Sequence, residues 1–295
     1  MTLTAPQPAH ERALSALPPT LLVILAITAI QVGAAMAVFL FPVLGPEGTV
    51  ALRIALSALL LLLATRRQVP ALPRLLRAHW RTLVPFGVCC AAMNLCFYLA
   101  IDRIPLGAAV ALEFIGPLGV AAFNSRRPSQ LGWVALAAIG IALLSPFSGV
   151  ELDPVGIGYA LLAGAGWASF IVLAKRVSAA LPGNDGLTIG MCIAAAIMLP
   201  LAVPVLPKLI DPTLALMALG VALLSTTIPF TFEFQALKRL PPRTYGVLVS
   251  LEPGVATLVG ALLLGERIGI QGTAAVLCVV IAAIGMTRSG GTDET

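Results

Sequence analysis

Two carboxylates stand inside long apolar runs, Glu113 in ALEFIGPLGV and Glu252 in SLEPGVATLV. A charge at the centre of a bilayer costs roughly 2.5–3.5 kcal/mol on insertion scales, so it normally faces a cavity or a partner. Facing a cavity, either Glu can hold an ammonium group or exchange a proton. The structural alternative is a protonated Glu that locks two helices through a hydrogen bond. Other polar or wide groups in apolar runs are candidates on the same grounds. Gln31 and Trp167 occupy matching places 136 residues apart, and Trp167 lies deeper in its run than an interfacial indole would. Asn94 and Tyr98 share a helix face at i, i+4, and Phe230 takes the place matching Asn94. Amides and a phenol can orient a zwitterion while aromatic rings exclude water; packed core is the alternative for all of them. Glu233, five residues before Lys238, fits a cavity mouth or an ordinary interfacial acid. Pro117, Pro229 and Pro253 each free a backbone carbonyl inside a run, which can line a polar path, form a gate or only permit a kink.

The chemistry these residues cannot do is equally informative. His10 and His79 lie outside the apolar runs, and every Asp is in a connecting segment, so neither a Ser–His nor a paired-Asp intramembrane site can be assembled. The five Cys (Cys89, Cys90, Cys96, Cys192, Cys278) sit within apolar runs without a CxxC or any metal-ligand spacing, and read as small buried hydrophobes. No Walker-type glycine loop is present to bind ATP. The expectation is therefore no enzyme, no metal and no cofactor.

The elements that must position these groups follow from composition. Of 295 residues, 59% are hydrophobic and 11% charged, with a mean hydropathy of +1.01. A soluble domain could not hide so much apolar surface, whereas lipid tolerates it. Spanning a hydrocarbon core of about 30 Å takes roughly 20 helical residues. Pro, Gly and charge punctuation divides the chain into about ten such spans. They are 19–42, 48–65, 82–101, 105–124, 130–147, 154–174, 186–206, 212–236, 243–264 and 268–287. The expected fold is an all-α integral membrane protein.

Charge gives the orientation. Placing the N-terminus inside puts fourteen of the eighteen Lys and Arg in inside segments, among them Arg66, Arg67, Arg126, Arg127, Lys175 and Arg176. Arg103, Lys208 and Arg267 fall outside, near Asp102, Asp211 and Glu266. Both termini are then cytoplasmic, and the net charge of +5 reflects topology instead of nucleic-acid binding. Arg53, about one turn from the outer end of the second span, is expected to snorkel to the interface. Trp80 and Trp133 are expected at the interfaces.

A shift of 136 residues brings Pro18 onto Pro154, Pro46 onto Pro182, Pro105 onto Pro241 and Pro117 onto Pro253. Two five-helix units are implied, 18–147 and 154–288, with tails at 1–17 and 289–295. Five is odd, so the second unit enters the membrane from the opposite face. This inverted arrangement places a site near the midplane between the halves, and rocking of the halves gives alternating access. In this register each Glu lies about one turn from its counterpart's place, Glu113 against Val249 and Glu252 against Gly116. The small residues Gly156, Gly164, Gly166 and Ala168 read as a close-packing face.

The stretches GAAVALEFIGPLGVAAFNSRRP and SLEPGVATLVGALLLGERIGIQGTAAVLCVVIAAIG resemble the repeat ends of the drug/metabolite transporter superfamily, EamA type. QVGAAMAVFLFP, IPLGAAVALEFIGPL, IPFTFEFQALKRLP and LPPRTYGVLVSLEP are most similar to bacterial amino-acid exporters, the threonine/homoserine branch first and the aromatic amino-acid exporters next. The resemblance covers roughly 18 to 288. It implies a ten-helix monomer in the bacterial inner membrane, with a central cavity, exporting small neutral amino acids from the cytoplasm. Relatives of this branch often carry a Lys late in the first span, where this chain reads Ala37 and Val38, so no role of that charge carries over. Efflux of another small metabolite or drug is the alternative, and a passive channel a further one.

Overall fold

A computed structural model describes residues 17–64, 71–123, 128–143, 152–181, 185–229, 232, 236, 239–240, 248–267 and 269–289. The described residues are helical, with no strand among them. The first helices are α1 (Pro19–Val38), α2 (Phe41–Ala64), α3 (Leu72–Ile101), α4 (Leu106–Glu113), α5 (Ile115–Phe123) and α6 (Pro128–Leu143). They are followed by α7 (Pro154–Ala180), α8 (Asp185–Ala202), α9 (Pro212–Ala222), α10 (Glu252–Leu263) and α11 (Ile270–Ser289). A 3-10 segment, Val203–Ile210, prolongs α8, and a π turn, Leu223–Thr227, prolongs α9.

Local sequence explains the starts and breaks. Proline begins α1, α7 and α9, where its missing N–H costs nothing. Asp153 and Asp211 cap the latter two, accepting from the N–H groups of Val155 (3.0 Å) and Thr213 (2.8 Å). Within α2 the chain turns through Gly45 at φ 71°, a conformation that disfavours any side chain. The sequence places the start of the third span at 82, whereas α3 begins at Leu72 and bends at His79 (φ −122°, ψ 22°). Arg74 and Arg77 lie before that bend, and Trp80 just after it is 55% exposed, with the Arg81 guanidinium 5.6 Å from its ring. The first turns of α3 therefore combine basic and apolar side chains as an interfacial segment does.

Among the described residues, five helical stretches are long and apolar enough to cross a membrane: Pro19–Val38, Phe41–Ala64, Leu72–Ile101, Pro154–Val177 and Asp185–Ile210. Large apolar side chains also cover the outside, with Ile270 93%, Leu262 73% and Leu216 68% exposed. Such a surface suits acyl chains and not water. Inside, α3 packs extensively on α7 and on α8, α2 on α8, α6 on α11, α4 on α7 and α10, and α1 on α10 and on the π turn.

One end of the bundle is stitched across distant segments. Arg103, after α3, donates to Asp153, before α7, at 2.9 Å. The Glu266 carboxylate accepts the Leu106 N–H at the start of α4, at 2.9 and 3.1 Å from its two oxygens. Lys208 Nζ donates to the Val43 carbonyl in the first turn of α2, ahead of Gly45. The Arg103 guanidinium and the Val155 N–H hold the Asp153 carboxyl below the ordinary carboxylate range, and burial raises that of Glu266 against the opposing pull of the Leu106 N–H. Because the Asp153 value is lowered on folding, its stabilising effect is full above its ordinary value of 3.8 and fades as pH falls through the lowered one. Asp153→Asn is accordingly expected to lower the thermal midpoint slightly at neutral pH, as befits an exposed pair, and to match the parent protein in acid. Equal midpoints at both pH values would contradict this.

Candidate functional site

Proline chemistry opens the helices around the centre of the bundle. Pro117 has no N–H and its ring crowds the carbonyl four residues back, that of Glu113; the helix breaks there, between α4 and α5. Pro253 does the same ahead of α10, whose first residue is Glu252. Pro229 crowds the Ser225 carbonyl, and the Ile228 N–H reaches back five residues to Leu223, giving the π turn. Each break falls beside a polar side chain.

These breaks surround a cavity of about 370 Å³, within the usual range of small-molecule sites, about 300–1,000 Å³. Gln31, Asn94, Tyr98, Glu113, Pro117, Trp167 and Glu252 all line it, so six of the eight candidate binding residues and one of the three prolines meet at one place. Pro229 and Pro253 are buried beside it without lining it. Phe230 and Glu233 lie outside the described residues.

Glu113 and Glu252 are each 8% exposed. Gln31 Nε2 donates to Glu252 Oε1 at 3.1 Å, tying α1 to α10 across the cavity wall. The other Gln31 amide atom, Oε1, is buried without a hydrogen-bond partner among the described residues. Trp167 of α7 meets Phe114 edge to face at 5.5 Å, next to the α4–α5 break. Phe97, Phe170, Met93 and Met191 make the remaining wall largely apolar. A small solute with a charged end and an apolar body suits such a lining.

One expectation is overturned. Arg53 does not snorkel to the interface: it is 7% exposed and lines the cavity. Its guanidinium donates to Asn94 Oδ1 and, at 3.3 Å, to Thr226 Oγ1, and lies 5.1 Å from the centre of the Tyr98 ring. Counting residues from a helix end gives depth along the axis but not the neighbours beside it. With Asn94, Tyr98 and Thr226 within reach, inward hydrogen bonds replace the water that snorkelling would have supplied. Ser225 and Thr226, also cavity residues, were missed as well. Their signal was the SerThrThr run shortly before Pro229, hydroxyls placed where a proline loosens the helix.

Among the described residues no group of His, Cys, Asp and Glu could hold a metal ion, and the cysteines are free thiols.

Comparison with known proteins gives the family. The EamA-like transporter family model matches residues 154–288. The threonine/homoserine exporter RhtA of Salmonella typhimurium is 41% identical over 280 residues, covering 94% of this chain and 93% of that protein. RhtA of Escherichia coli K12 is 39% identical over 272 residues, covering 91% of each chain. A solved crystal structure with 20% identity superposes with a TM-score of 0.62 over 92% of this chain and 98% of its own, and shares the fold. Similarity at this level over nearly the whole length shows the family: the chain is a transporter of the EamA-like family, in the branch of the RhtA exporters.

Proposed function

We propose that this chain exports small neutral amino acids, threonine and homoserine first, from the cytoplasm across the bacterial inner membrane. The carrying observation is the cavity itself, where one guanidinium and two carboxyl side chains converge inside a bundle with a lipid-suited surface. A free amino acid is the small solute that offers a carboxylate and an ammonium together. The relatives' names point the same way. The apolar wall suits methionine and other neutral or aromatic side chains as further substrates.

The mechanism is alternating access between two five-helix units of opposite orientation, ten spans in all, acting as a monomer with both termini cytoplasmic. Helix packing supports the twofold reading. In the 136-residue register α3 on α7 is the mate of α9 on α1, and α5 on α7 is the mate of α10 on α1. The pairs α2–α8 and α6–α11 each map onto themselves, as contacts across a twofold axis do. The stitched end supports the span count, since residues 43, 103, 106, 153, 208 and 266 share it only if even numbers of crossings separate them. That end corresponds to the outside.

Exchange of one inward proton for one outward zwitterion moves one charge, about 2.3 kcal/mol per 100 mV, enough for a gradient on the order of 50-fold. Facilitated export needs no proton. Counterflow of labelled threonine in proteoliposomes tests the assignment, run with and without a pH gradient and competed by an amino-acid panel. Saturable exchange is expected, with threonine and homoserine the strongest competitors. Absence of saturable threonine exchange would refute the substrate; flux without counterflow would mean a channel.

A further inference from the structure

Arg53 has a feature that helix packing does not explain. Its side chain is more than nine-tenths buried, yet Nε has no hydrogen-bond partner among the described residues. Its present partners, the Asn94 amide oxygen and the Thr226 hydroxyl, are neutral, and no carboxylate pairs with it among the ion pairs of the described residues. A buried cation held only by neutral acceptors is costly, and a guanidinium matches a carboxylate in two parallel hydrogen bonds. On the same cavity, Gln31 fixes the Glu252 carboxyl group, and Glu113 lines the wall nearby. The cavity therefore has a cationic pole at Arg53 and an acidic pole at the two glutamates.

We infer that Arg53 is the anchor for the substrate's α-carboxylate, with Asn94 and Thr226 orienting its guanidinium and the Glu113–Glu252 pole taking the ammonium. This rests on the amino-acid reading and adds what it left open: a free carboxylate is the entry requirement, and the residue that enforces it is Arg53. Amines, amides and esters of the same size are rejected because they leave a desolvated guanidinium without its counter-charge.

Wild-type threonine counterflow is measured first and reports on the amino-acid assignment alone. Competition by threonine amide and by 3-hydroxybutyrate, which keep the ammonium or the carboxylate respectively, then reports on Arg53. In the wild type, threonine amide is expected to compete at least roughly tenfold more weakly than threonine, the size of a charge-assisted hydrogen bond. In Arg53→Gln that preference should collapse, and Arg53→Lys should restore part of it. Thermal protection by 3-hydroxybutyrate, in the wild type but not in Arg53→Gln, reads the same contact without reference to threonine transport. Asn94→Asp guards against a folding defect, because it seats a permanent carboxylate on the guanidinium. It should keep or raise the melting temperature while weakening threonine. A merely structural Arg53 would instead leave the threonine-to-amide ratio unchanged in Asn94→Asp. That result, or equal competition by threonine and its amide in the wild type, would overturn the assignment.

Discussion

Glu252→Gln is expected to lower threonine exchange by roughly 30-fold or more, the effect of deleting one partner of a buried charge contact. The substitution is nearly isosteric, and an amide oxygen can still accept from Gln31 Nε2, so the α1–α10 link and the fold should persist. What is lost is the charge, and with it the attraction for an ammonium or the capacity to carry a proton. Glu113→Gln tests the other carboxyl group on the same cavity. Measuring both variants with and without a pH gradient separates the two roles. A carboxylate that only binds the ammonium raises the half-saturating threonine concentration in both conditions. One that carries the proton abolishes the stimulation by the gradient and spares exchange at equal pH. Unchanged exchange in both variants would remove the glutamates from the mechanism, leaving them as helix locks.

The second large effect concerns backbone contact. Gly116 of α5 faces Gly164 of α7 so closely that a methyl group on Gly116 would overlap the Gly164 carbonyl oxygen. The reverse substitution is also excluded, since a Gly164 Cβ would stand 2.7 Å from the carbonyl oxygen of Glu113, the group that Pro117 leaves without its helical donor. Backbone atoms cannot rotate aside as a flexible side chain can. Gly116→Ala should therefore push α5 from α7 and cost about 1–3 kcal/mol, the usual range for overpacking. It should also impair exchange, because the same shift moves Phe114 and Glu113 away from Trp167. The readouts are the melting temperature in detergent and the counterflow rate. Gly158→Ala is the control: it lies in the same helix, α7, with nothing within 4 Å of its Cβ position, and should be neutral or slightly stabilising. If Gly116→Ala matched that control, the α5–α7 contact would not be the close one described.

Much of the site could be read in one dimension because polar groups are scarce where lipid is the solvent. Glu113, Glu252, Gln31, Asn94 and Tyr98 stand out against runs of Ala, Leu, Val and Gly, and the structure gathers them around one cavity. Trp167 stood out by its depth and by its place matching Gln31. Arg53 was misjudged by the same reasoning, because a long side chain near a helix end can turn either way and only its neighbours decide. Ser225 and Thr226 were passed over because hydroxyls within a helix usually satisfy themselves on the backbone. The role of the π turn in presenting them needed coordinates.

What the sequence alone determined is the solvent and its consequences: an all-helical chain whose apolar surface suits lipid, prolines in matching places, and a family membership carried by similarity along almost the whole chain. The tertiary structure decided the pairings. Arg53 meets Asn94 across 41 residues, Thr226 across 173, and Gln31 meets Glu252 across 221. One residue of error in register turns a helical side chain by about 100°, enough to move it from the cavity to the lipid. Periodicity fixes which residues can share a face. Only the packing of distant helices fixes what that face touches.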